Sequence, residues 1–164
     1  MKQRAIVFSI ALAIFAIDRL TKIWVDQNLS AFDTRTVIPG FFNLIHSENT
    51  GMAFSILADA SSQVRKVVLV GFSSVVLMFV AGMLWQAAPS PQRAQKAALT
   101  LVFGGATGNL YDRIMRGSVT DFLDFYLGTY HWATFNVADA AITAGAILLG
   151  LEMLLQRDVK KAEA

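Results

Sequence analysis

Cysteine is absent from the chain of 164 residues. That excludes disulfides, thiolate metal sites, a thiol nucleophile and lipidation on a cysteine of its own. Histidine is nearly absent: His46 and His131 are the only two, far apart in sequence. An imidazole metal site or a Ser-His-Asp triad is thus thinly supplied. Charge is scarce as well, at 16% Asp, Glu, Lys and Arg, against about 25% in an ordinary soluble domain. The net charge of +2 comes with no basic stripe interleaved with aromatics, which argues against nucleic acid as a partner. What fills the chain instead is apolar: 55% hydrophobic residues and a mean hydropathy of +0.50. In water such a surface aggregates, so the bilayer is the natural solvent.

A helix needs about 20 residues to cross the hydrocarbon. Four segments qualify, at about residues 5–25, 67–85, 97–111 and 137–155. The first follows Lys2 and Arg4 as a signal peptide would, but Asp18, Arg19, Thr21 and Lys22 come after it and no small-x-small cleavage site does. It reads as an uncleaved first transmembrane helix. The third is short and ends at Asp112 and Arg113; the fourth opens with Asp139. The expected architecture is an all-α integral membrane protein. It is a single domain over residues 1–164, with a four-helix bundle and outer segments at about 26–66 and 112–136.

In the first outer segment, Val37-Ile38 and Phe41 to Ile45 flank Pro39-Gly40, which reads as two short strands around a turn. Met52 to Leu57 suggests an interfacial helix. Residues 116–134 are rich in aromatics. Lys2, Arg4, Arg93, Lys96, Arg157, Lys160 and Lys161 share one side in short loops and tails. By the positive-inside rule both termini are cytoplasmic and both long segments face outward. Trp24, Trp85 and Trp132 fall near predicted helix ends, as interfacial anchors do.

Ionisable groups at membrane depth carry a cost and invite a functional reading. Asp121 and Asp139 are separated by a short connection, so their carboxylates can meet. Two adjacent carboxylates share a proton, and such a pair can hydrolyse an amide with a water. The competing reading is structural. Asn136 is a natural N-cap and Asp139, three residues on, a natural partner in a capping box. Asp121 and Asp124 also read as solvated loop carboxylates. Asp18 and Lys22, four apart, read as an ion pair with Lys22 reaching outward to the interface. Gly104 and Gly108 form a small-xxx-small face for close helix packing. Asn49 reads as a turn initiator, and Asn109 as a hydrogen-bonding group across the bundle. A proton-coupled transporter would spread carboxylates through membrane depth, and a scaffold would leave the polar outer face unexplained.

Five patterns occur in order: Asp18-Arg19-Leu20-Thr21-Lys22, Asn49-Thr50-Gly51-Met52-Ala53-Phe54, Gly104-Gly105-Ala106-Thr107-Gly108-Asn109-Leu110-Tyr111-Asp112-Arg113, Val119-Thr120-Asp121-Phe122 and Phe135-Asn136-Val137-Ala138-Asp139. Together, over residues 14–149, they resemble the bacterial lipoprotein signal peptidase family (type II signal peptidase). The resemblance implies an aspartyl peptidase of the inner membrane, with its active site at the periplasmic face. Its substrates would be diacylglyceryl-modified prolipoproteins, cut just before the lipid-bearing cysteine. It implies Asp121 and Asp139 as the catalytic pair. Asp18, Lys22, Asn49, Gly51, Gly105, Asn109, Arg113, Asn136 and Ala138 would shape or support the site. It further implies a small extracytoplasmic β-cradle and interfacial helix, contact with membrane lipids, inhibition by globomycin-type compounds, and no metal or cofactor. Met52, Thr107 and Thr120 depart from the family's usual residues, which touches local packing and not the carboxylates.

Overall fold

The computed structural model describes residues 1–31, 33–51, 61–90 and 92–162, the last seven of them by backbone alone. The interfacial helix expected from Met52 to Leu57 lies outside the described residues. The chain runs α1 (Lys2–Asn28), β1 (Thr34–Ile38), β2 (Phe42–Asn49), α2 (Ser62–Ala87), α3 (Arg93–Met115), β3 (Val119–Leu127), β4 (Tyr130–His131) and α4 (Val137–Ala162). The fold is mostly helical but not all-α: the strands form an antiparallel sheet in the order β1-β2-β3-β4.

α3 is the central helix and packs against each of the other three. Glycines make this possible. A methyl at Gly104 would lie 2.8 Å from the Ala11 carbonyl oxygen of α1, and one at Gly105 would lie 2.4 Å from that of Ala138 on α4. At Gly108 it would meet the Asp18 carboxylate at 2.5 Å. From α4, a methyl at Gly145 would lie 2.6 Å from the Ala98 carbonyl oxygen. Without Cβ atoms, backbones approach closely. The predicted Gly104/Gly108 face is thus a real contact face.

At one end of the bundle Val7, Val80, Leu84, Ala87, Ala88 and Leu99 form an apolar core; at the other, Val25 of α1 and Leu29 just after it meet Phe122 of β3. Among the described residues, Ser62–Ala87 and Val137–Leu155 are long and apolar enough to cross a membrane, with mean hydropathies of 2.5 and 1.7. α2 turns Val67, Phe72, Val75, Met78 and Phe79 outward. An outward apolar face of that extent is at odds with water as solvent. α1 and α3 are interrupted by charged side chains that face each other inside the bundle.

Candidate active site

Sheet pairing brings Asp121 to its neighbours. β2 and β3 run antiparallel with Ser47 opposite Asp121 and Asn49 opposite Val119; a register shift between Leu44 and Ser47 indicates an irregularity there. After β4 the chain returns beside β3. Phe135 donates its N–H to the Leu123 carbonyl at 3.2 Å and accepts from the Phe122 and Leu123 N–H groups at 3.1 and 2.8 Å. Stacking of Phe125 on Phe42 and on Phe135 holds this return in place. Asn136, the next residue, therefore sits against Asp121.

The Asp121 carboxylate is 2% exposed and held by side-chain amides. Asn136 Nδ2 donates to its Oδ1 at 2.7 Å, and Asn49 Nδ2 to its Oδ2 at 3.0 Å. Asn49 also takes the Gly51 N–H on its Oδ1 at 2.9 Å, closing the turn it was expected to start. Gly51 has φ +77° there, and a Cβ would lie 2.4 Å from a Leu69 methyl.

Asp139 occupies the position foreseen for a capping box. Its N–H donates to Asn136 Oδ1 at 2.9 Å, and its Oδ2 accepts the Asn136 N–H at 3.3 Å. Its Oδ1 accepts from Asn109 Nδ2 at 2.6 Å. Capping does not exhaust the group, because a carboxylate offers about four lone-pair sites. Asn136 Nδ2 also lies 3.3 Å from Asn109 Oδ1, so two asparagines link the carboxylates into one network. Arg113 donates to the Asn109 carbonyl at 3.4 Å, within electrostatic reach of Asp139, Asp121 and Asp112.

Below this lies a buried ionic layer. Lys22 is fully buried, and its ammonium meets Asp18 at 2.8 Å, Asp112 at 2.7 Å and Asn109 at 3.1 Å. The expected ion pair with Asp18 exists, but Lys22 does not reach outward. Asp18 and Asn109 accept hydrogen bonds from it, and Asp112 Oδ2 is its ion-pair partner without hydrogen-bond geometry. Arg19 pairs with the other oxygen of Asp112, so two cations balance two carboxylates. Asp18 also accepts the Ala138 N–H at 2.9 Å, tying α1 to the first turn of α4. Asp112 was not among the site residues anticipated from sequence. Its signal was its place three residues after Asn109, on the same helix face. Nor does α3 end at Asp112 and Arg113; it continues to Met115, because cations on α1 balance the charge of Asp112 inside the bundle.

Asp124 falls elsewhere. Three residues from Asp121 on a strand, it projects from the opposite face. It accepts from Asn43 Nδ2 at 2.9 Å and lies 2.9 Å from His131 Nδ1. His46 donates from Nδ1 to the Leu29 carbonyl at 2.9 Å. Neither histidine joins the Asp121–Asp139 network.

Burial pushes the Asp121 carboxyl up to about 6, and the nearby charge of Asp139 pushes the same way, against the lowering hydrogen bonds from Asn49 and Asn136. A carboxyl raised toward neutrality, beside a second carboxylate, is equipped for general acid and base work.

The family model described as signal peptidase (SPase) II matches residues 10–155. The lipoprotein signal peptidase of Solibacter usitatus (strain Ellin6076) is 50% identical over 150 residues, covering 90% of this chain and 89% of the relative. That of Sulfurihydrogenibium sp. (strain YO3AOP1) is 40% identical over 159 residues, covering 96% and 97%. Among solved structures, a bacterial membrane enzyme determined by the in meso method at 1.9 Å superposes with a TM-score of 0.75 at 27% identity, over 92% of this chain and 93% of that one. The chain belongs to the signal peptidase II family, a family of peptidases.

Proposed function

We propose that the protein is an aspartyl endopeptidase of the bacterial inner membrane. It removes the signal peptide from prolipoproteins by cutting the peptide bond before the diacylglyceryl-modified cysteine. The observation that carries this reading is the linked pair: Asp121 and Asp139, bridged by Asn136 and Asn109. In this reading all four helices span the bilayer, both termini are cytoplasmic, and the pair lies at the periplasmic interface. The inward pairing of the charges on α1 and α3 supports a four-span bundle, because it removes them from contact with lipid.

The pair works with one proton and one water. The ionised partner takes a proton from water as oxygen attacks the scissile carbonyl carbon, and the protonated partner gives its proton to the carbonyl oxygen. The resulting tetrahedral diol collapses. The C–N bond breaks, the leaving nitrogen gains a proton, and the products are the signal peptide carboxylate and the free amine of the lipid-bearing cysteine. The proton belongs to the pair, so acid and base roles attach to the dyad and not to either residue. The acyl chains of the substrate stay in the bilayer and bring the bond to interfacial depth, where remote binding energy positions it. Globomycin-type inhibitors would occupy the same site.

Asn136, Asn49 and Asn109 are neutral donors, and the nearest cation of the ionic layer is already balanced. They orient the carboxylates, and at Asp121 the lowering effect of Asn49 and Asn136 is outweighed by burial, which keeps the carboxyl raised. The test is cleavage of a lipidated precursor in detergent by Asp121→Asn and Asp139→Asn. Each is expected to lose activity by several orders of magnitude, and full activity in either would end the assignment.

A further inference from the structure

At the far end of the bundle from the carboxylates, α1 and α3 part to form a groove of about 390 Å³. Ile6 and Ile10 of α1 and Ala97 and Leu101 of α3 form its walls, while Gln3, Arg93 and Lys96 stand at its mouth. The mouth lies about 22 Å along α1 from Asp18, at 1.5 Å per residue. From Arg93 to Leu101 the groove follows about 12 Å of helix, comparable with half the roughly 30 Å hydrocarbon thickness.

The charge at the mouth has one sign. Residues 1–17 and 86–111 contain no Asp or Glu. Arg93 and Lys96 stand three apart, so they share a helix face, and the first turn of α3 holds no acidic residue to offset them. They also sit at the positive end of the helix dipole, where cations are disfavoured and anions favoured. Lys96 has a neutral partner, Gln3 Oε1 at 3.2 Å, and Arg93 has no ion-pair partner among the described residues. An apolar trough whose two lip cations pair with no carboxylate among the described residues matches a molecule with an apolar chain and an anionic head.

We propose that this groove binds an anionic phospholipid, one acyl chain lying between Ile6, Ile10, Ala97 and Leu101 and the phosphate resting on Arg93 and Lys96. A juxtamembrane cation contributes about 1 kcal/mol toward an anionic lipid, a factor of about five. Losing both should therefore weaken binding about thirtyfold.

Native mass spectrometry of the detergent-solubilised protein tests this, with phosphatidylglycerol and phosphatidylcholine of matched chains and with soluble glycerol 3-phosphate as probes. Phosphatidylglycerol is expected to bind well above the other two. Arg93→Gln with Lys96→Gln should lose about thirtyfold. Lys2→Gln, at the same end but not lining the groove, should lose little. Ala97→Phe, which fills the trough and keeps both charges, should also weaken the lipid. Equal binding of phosphatidylcholine, equal binding of glycerol 3-phosphate, or indifference to either groove variant would overturn the proposal.

Discussion

Gly105 sets the distance between α3 and α4 at the level of the proposed dyad, which makes Gly105→Ala an informative substitution. The added methyl would stand 2.4 Å from the Ala138 carbonyl oxygen and 3.0 Å from the Ile142 side chain. Ordinary carbon–oxygen contact needs roughly 1 Å more, and the obstacle is backbone, which cannot rotate away. The helices must separate by about that amount. Asn109, one turn further along α3, donates to Asp139 at 2.6 Å. A shift on the order of 1 Å lengthens that bond beyond hydrogen-bonding range, and misplacement on this scale costs about 100-fold in rate. The accompanying overpacking should cost about 1–3 kcal/mol of stability. Cleavage of a lipidated precursor in detergent reads the first quantity and thermal unfolding the second. Gly82→Ala is the control: a methyl there meets nothing within 4 Å, so it should leave activity unchanged and gain up to about 1 kcal/mol from helix propensity. Gly105→Ala with undiminished turnover would refute the claim that this contact fixes the carboxylate geometry.

Other outcomes follow from the same network. With Asp121 pushed up to about 6, the shared proton leaves as pH rises through that region. The pH profile of kcat/KM for a lipidated precursor should be bell-shaped, its falling limb near pH 6 in the free enzyme, and a flat profile would count against a shared proton. The same group bears on stability. Its folded pKa lies above the ordinary 3.8, so the stabilisation it contributes is complete below about pH 4 and lost through about pH 6. The loss is on the order of 3 kcal/mol; Asp121→Asn, measured by thermal unfolding across that range, should abolish this part of the decline. Lys22→Met leaves Asp18 and Asp112 buried with Arg19 alone, and should cost about 3–5 kcal/mol in unfolding experiments. Adding Asp18→Asn should recover part of that loss, and additive costs would argue against direct coupling.

The sequence was most legible where local chemistry decides structure. Pro39-Gly40 between apolar runs marked the β1–β2 turn, and Asn136 with Asp139 marked the start of α4. β3 was harder to read. Val119, Thr120, Asp121, Phe122 and Asp124 are all buried, so the strand lacks the alternation that betrays a half-solvated one. The carboxylates at 121 and 124 then resemble loop residues, although they project to opposite faces. The end of α3 was misplaced for a related reason. Asp112 and Arg113 look like a polar stop until Arg19 and Lys22, about 90 positions away in sequence, are seen to receive Asp112. Lys22 was expected to snorkel, since its three inward partners lie on two different helices and spacing reveals only Asp18. Local spacing carries caps and turns; it does not carry the pairing of charges across a bundle.

The capping box at the start of α4 has a consequence for how the protein comes into being. Asn136 and Asp139 begin the helix by bonding to each other, while the same two side chains reach Asp121 on β3 and Asn109 on α3. Asp18, on α1, which is synthesised well before α4, holds the neighbouring Ala138 amide. Winding the first turn of the last helix and aligning the two carboxylates are therefore a single event. Until α4 arrives, Asp121 lacks its Asn136 donor and has no second carboxylate beside it. On the proposed mechanism, a partly inserted chain is a protease without its dyad, and the membrane it enters would meet catalysis only after the bundle has closed.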